Sequence, residues 1–135
     1  MTMAINPILG AGGIEVFTFE ATGQVGQINI TSSWIEDGAS YPGDMGFALV
    51  SPDGGLFGSD GWDITMSSVG YPLDETQSWP SFWNISLGGV YSVAFNPVLP
   101  LSGDGVWQLV ILNGWTGSNT ISYDLVFEIE GLCSQ

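Results

Sequence analysis

Asp60 and Asp63 stand three residues apart in a glycine-bearing stretch, and Asp44 lies sixteen residues before Asp60. Carboxylates grouped with loop carbonyls suit a calcium ion, which takes roughly six to eight oxygen ligands. Asp44, Asp60 and Asp63 are therefore the candidate metal ligands, and calcium is the candidate cofactor. Glu36-Asp37 and Asp74-Glu75 form two further acidic loops. No spacing matches an EF-hand or a calcium-binding nonapeptide repeat, and an ordinary solvated acidic loop is the competing reading of each group. A close carboxylate pair is also the equipment of a glycosidase. Acids this close in a loop more commonly serve turns, so the expectation is a protein that is not an enzyme.

The surroundings of these acids give them weight. The chain has 135 residues and no lysine, arginine or histidine, against fourteen Asp and Glu, for a formal net charge of −14. Apart from the amino group of Met1, nothing here carries a positive charge. Each carboxylate must then be solvated, capped by a backbone N–H or a hydroxyl, or bound to a metal or another molecule. Ser-His-Asp and Cys-His catalysis are excluded, as are Schiff-base and arginine-clamp chemistry. Nucleic acid is excluded as a partner, because phosphates are neutralised by Lys and Arg. An anionic membrane surface repels the chain for the same reason. No apolar run is long enough to insert into a bilayer. Cationic partners, divalent metals and neutral glycans remain acceptable.

Six tryptophans are a second resource. Trp107 alternates with Leu109 and Ile111 and reads as core. Trp62, Trp79, Trp83 and Trp115 fall at strand ends or in loops, as does Trp34. Flat aromatics at such places can stack on sugar rings or bury in a protein interface, or they can plug the ends of a sandwich. Cys133 is the single cysteine. It has no internal partner, so it is a free thiol or a crosslink to another chain or to a cysteine outside this sequence. The sequons at Asn29 and Asn84 sit in expected strands and carry little weight.

The elements that must position these residues are strands. Hydrophobic residues make up 44% of the chain, which with aromatics at 13% argues for a packed core despite the charge. Twenty glycines and seven prolines interrupt it, and no segment holds helical spacing. Strands are expected at residues 14–20 (IEVFTFE), 25–34 (VGQINITSSW), 45–50 (MGFALV), 62–66, 82–87, 90–95, 106–112 (VWQLVIL) and 120–130 (TISYDLVFEIE). Residues 106–112 read as the central strand. In the last segment Ile121, Tyr123, Leu125, Phe127 and Ile129 share one face. Ser51-Pro52-Asp53-Gly54-Gly55 reads as a tight turn, and Gly88-Gly89 as a hairpin. About eight short strands with such punctuation predict an all-β protein, an antiparallel β-sandwich of jelly-roll type. Residues 1–13 (MTMAINPILGAGG) read as an N-terminal arm, free or lent to a neighbour as a strand, and residues 14–135 as one domain. The arm has neither the basic start nor the apolar run of a signal peptide. The expectation is an exported chain whose leader has been removed.

Residues 43–54 (GDMGFALVSPDG) look like the "GDL-x-I-x-L-x-SPDGT" stretch of P domains. These are the jelly-roll modules that follow the catalytic domain of proprotein convertases and occur in many secreted bacterial proteins. Residues 101–130 resemble that family's "NGTWTLTVTDNAAGDTGTLNSWSLTI", and residues 29–34 (NITSSW) fall where it has a strand ending "ISHTY". Ser33 or Trp34 stands in place of the family's His, and the Asn113 region in place of its Asp; of the acids, Asp44 carries over. The resemblance implies a jelly roll, an extracellular or cell-surface setting and a non-catalytic role. Together these readings predict a module with a structural or self-assembly role, as in a filament, surface layer or adhesin, whose partners are its own copies or other extracellular proteins. The alternative is a carbohydrate-binding or adhesive module that uses the exposed tryptophans on a neutral glycan.

Overall fold

A computed structural model of the chain describes residues 1–25, 28–34, 44–77, 89–95, 101–116, 120–122, 124–129 and 131–134. The protein is all-β, an antiparallel β-sandwich. One sheet has the order β1-β12-β4-β8, built from β1 (Thr2–Ile5), β12 (Asp124–Ile129), β4 (Ile28–Trp34) and β8 (Gly89–Phe95). The other runs β13-β3-β10-β5-β6-β7, from β13 (Leu132–Ser134), β3 (Ile14–Val25), β10 (Gly105–Asn113), β5 (Met45–Val50), β6 (Leu56–Ser59) and β7 (Glu75–Thr76). β9 (Leu101–Ser102) also pairs with β3, and β2 (Ile8–Leu9) pairs with β11 (Ile121–Ser122). The pairing of β6 with β7 is parallel. Among the described residues no helix is long and apolar enough to cross a membrane.

Alternation along the strands makes the main core. The first sheet contributes Ile5, Ile28, Ile30, Val93, Phe95 and Ile129; the second contributes Phe47, Leu49, Trp107, Leu109 and Ile111 among others. Phe95 meets both Phe47 and Phe57 edge-on, with centroids 6.1 Å apart in each pair, so aromatic contacts tie one sheet to the other. Trp107 is core, as its spacing predicts. It is fully buried, lies stacked 6.1 Å from Phe19, and donates its indole N–H to the Gly103 carbonyl at 2.9 Å. That bond satisfies the one polar atom such a ring brings inside.

The central-strand reading of β10 holds, since it pairs with β3 on one side and β5 on the other. The turn at residues 51–55 also forms as expected. The Ser51 N–H donates to Gly55 O, the Gly54 N–H donates to Ser51 O, and Gly54 takes φ +91°, where a side chain would be strained. Two expectations shift. The strand expected at residues 62–66 is a turn leading into a single 3-10 turn at Ser67–Val69, and the strand of that region is β6, earlier in the chain. Asp60 accepts from the Met66 N–H and Ile64 O from the Gly61 N–H, and these bonds close the segment into a loop. The lead segment 1–13 lies in its own chain's sheets: β1 pairs with β12 and β2 with β11, with Ile5 and Leu9 buried. Residues 82–87 and Gly88 of the expected hairpin lie outside the described residues.

Candidate functional site

Two surfaces collect the residues with functional potential. The first is one end of the sandwich. β5 begins just after Asp44, β6 ends just before Asp60, and β10 ends at Asn113, so three chain segments arrive together. The Gly114 N–H donates to Asp44 O at 2.8 Å, and the Asp63 N–H donates to Gly114 O at 2.8 Å. Gly61 and Gly114 are in backbone contact, since a Cβ on Gly114 would lie 2.4 Å from the Gly61 Cα. Only glycines permit that approach. The junction brings Asp44, Asp60, Trp62, Asp63 and Trp115 to one end of the fold from positions as far apart in sequence as 44 and 115. Asp44 is buried, Asp60 and Asp63 are exposed, Trp115 is half-buried and Trp62 is 49% exposed. Trp79 and Trp83 lie outside the described residues.

The carboxylates at this end act as staples for loops. Asp60 Oδ1 accepts the Met66 N–H at 2.7 Å, and Asp63 Oδ2 accepts both the N–H and the hydroxyl of Thr116, at 3.1 and 2.8 Å. Elsewhere the pattern repeats. Asp53 accepts the Ser51 hydroxyl at 2.6 Å, Asp74 the Leu56 N–H at 2.9 Å and Asp104 the Gly23 N–H at 2.8 Å. These six bonds to five carboxylates are the backbone and hydroxyl capping open to acids in a chain without side-chain cations. Among the described residues, no three acidic or thiol groups lie close enough to hold a metal ion. The calcium ligand set Asp44, Asp60 and Asp63 is thus gathered at one end but not into one ligand cage.

Asn113 organises the same end, and the sequence analysis gave it no role. It is fully buried, its Nδ2 donates to Leu9 O at 3.1 Å, and its Oδ1 accepts the Trp115 N–H at 3.2 Å. Its own N–H donates to Gly13 O, and its carbonyl accepts the Gly12 N–H. It clasps the turn at residues 10–13 to β10. An Asn closing the apolar run 106–112 before Gly114 is the sequence signal, since a buried amide at a strand end needs partners.

The second surface is the outer face of β3 and β10. Phe17, Phe19 and Ala21 point into the main core, so Ile14, Val16, Thr18, Glu20 and Thr22 point out. On β10 the outward residues are Val106, Gln108, Val110 and Leu112. Part of this face is roofed. Val110, Leu112 and Ala48 form a second apolar cluster under Met66, against which Leu56, Ile64, Val69, Tyr71 and Leu73 pack. The remainder is bare: Ile14 and Val16 are each 42% exposed and Val106 is 51% exposed. Cys133, exposed, is paired in register with the outward Thr22. Sequence reasoning missed this face, although Ile14 and Val16 are apolar at outward positions where an alternating strand would be polar.

No protein-family model matches the chain, and no curated protein sequence matches it.

Proposed function

We propose that this protein is a non-catalytic β-sandwich module that works by contact, in a structural or self-assembly role outside the cell or at its surface, with other copies of itself as partners. The observation that carries this reading is the exposed apolar pair Ile14 and Val16 on the outer face of β3, with Val106 also exposed farther along that face, beyond Thr18 and Gln108. Among the outward residues of β3 and β10, Glu20 is the single acid on a molecule of net charge −14. A nearly neutral face is where a second copy, equally anionic, can approach without like-charge repulsion. An interface of this kind contains no ion pairs, so salt strengthens it by screening the remaining acids. Cys133 borders the same face and is the place for a crosslink between copies. The P-domain resemblance and a jelly-roll winding belong to the same reading, supported by the strand order in sequence and the SPDG turn between β5 and β6.

Size-exclusion chromatography with light scattering, run from dilute to concentrated protein with and without calcium, tests this. The expected result is association that grows with concentration and with salt and weakens in Val16→Asp. A monomer under every condition would sink the reading.

A second reading is favoured by one observation. Trp62 stands exposed beside Asp63, at the end of the sandwich that also holds Trp115. An exposed flat ring suits the face of a neutral sugar. Titration of soluble glycans while following tryptophan emission checks it, with Trp62→Ala as the control expected to remove any response.

A further inference from the structure

We infer that residues 1–13 exchange between copies, so that the arm of one molecule fills the arm site of the next. This rests on the reading that the chain works through contact with its own copies, and it names a second, strand-based mode of that contact. The arm's strands pair with the last strands of the fold, Thr2–Ile5 with Leu125–Glu128 and Ile8–Leu9 with Ile121–Ser122. Its anchors are Ile5, Pro7 and Leu9, which are buried, together with Met1 and Met3 packed on the core. The Met1 ammonium donates to Ile129 O and Leu132 O, and the Ile129 N–H donates to Met1 O. All of these are apolar or backbone contacts, and a second copy offers the same ones unchanged.

Three features make the arm separable. It carries no charged side chain in residues 1–13, so leaving one anionic body and entering another costs no extra repulsion. Its connection to β3 is the turn Gly10-Ala11-Gly12-Gly13, closed by a Gly13 N–H to Gly10 O bond of 2.9 Å, with Gly12 at φ +73°. Such a turn opens without side-chain strain and straightens the path from β2 into β3. Finally, the arm and its site lie more than a hundred residues apart in sequence, so body strands can assemble while the site still awaits an arm. At high concentration another molecule's arm competes for it. Asn113, which clasps the turn through Leu9 O, Gly12 and Gly13, is the hinge-side latch.

The register supplies the test. Ala4 and Val126 are paired and both exposed, close enough for a disulfide when each is cysteine. The variant Ala4→Cys/Val126→Cys is made in a Cys133→Ser background, refolded from dilute to concentrated solution, oxidised with copper-phenanthroline and dioxygen, and run on non-reducing gels. The expected result is an intrachain crosslink when dilute and a ladder of covalent oligomers when concentrated, with ladder yield rising about tenfold as concentration nears the effective molarity of the tethered arm. Intrachain crosslinks alone at every concentration, with light scattering still reporting association, would overturn arm exchange and leave the face-to-face reading standing. Monomer by light scattering together with intrachain crosslinks alone would overturn both. Native mass spectrometry of mixed heavy- and light-isotope unmutated protein gives an independent readout. Arm-exchanged oligomers mix subunits slowly, because the arm must first unpair, and mixing within seconds would count against exchange.

Discussion

Leu112 and Ile14 are cross-strand partners on one sheet face, yet Leu112 is fully buried and Ile14 is 42% exposed. Val110 and Val16 repeat the contrast one step along. In these two rows the boundary falls between β10 and β3, where the chain's own roof stops; farther along β10 the roof has ended, and Val106 is exposed. On the roofed side the protein covers its apolar residues with Met66 and its neighbours. On the bare side the same kind of residue is left in water. At these two rows the sheet is apolar on both faces, as strands buried on both sides are, and on β3 the outer residues lack a cover from the described residues. A second copy is the cover proposed above.

Breaking the roofed side has the largest effect on stability. Leu112→Ala removes a fully buried side chain and should cost about 2–5 kcal/mol in chemical denaturation. A loss under about 1 kcal/mol would mean that the roof collapses onto the gap and is a loose lid. Gly114→Ala comes next. Its new Cβ would lie 2.4 Å from the Gly61 Cα and 2.7 Å from Asp44 O, so the anchor of the roof must shift, at about 1–3 kcal/mol. Asp60→Ala takes the acceptor from the Met66 N–H and should lower stability by about 1 kcal/mol. If calcium restored none of that loss and added nothing to the unmutated protein's melting temperature, Asp60 would stand as a loop staple alone.

The bare side should behave in the opposite way. Ile14→Ser with Val16→Ser should change monomer stability by no more than about 0.5 kcal/mol, while weakening association measured by sedimentation. Equal loss of stability on the two sides would abolish the distinction between them. The last test of the bare side is acid, read as association. Below about pH 3 carboxylates as a class protonate, which removes the charge that keeps copies apart, so light scattering should rise as pH falls. Protein that stays monomeric and soluble at pH 2 would show that charge was not what limited association.

Much of the fold was legible because the strands alternate strongly or run wholly apolar. Residues 45–50 are a strand to the residue, β10 is central, and Trp107 is core. The strand expected at residues 62–66 misled because Trp62, Ile64 and Met66 alternate with Asp63 and Thr65. In the fold that pattern serves a loop: Met66 is buried as the part of the roof that meets the sheet, Ile64 packs on the same cluster and Trp62 faces solvent. The end-site was half legible. Asp44, Asp60, Asp63, Trp62 and Trp115 were singled out by residue type, but nothing in their spacing showed that Gly61 and Gly114 would meet and bring them together.

By itself the sequence determined the chemistry. A chain without lysine, arginine or histidine must leave its acids to water, to N–H and hydroxyl groups or to an outside partner, and alternating apolar residues must form strands with one buried face, because both follow from composition and local period. Tertiary structure alone decided which acids staple which loops, where the roof ends on the outer face of β10, and that the first strand lies against one of the last. Each of these depends on backbone segments meeting across long stretches of chain, and a two-residue period records which face a side chain takes but not which strand lies beside it.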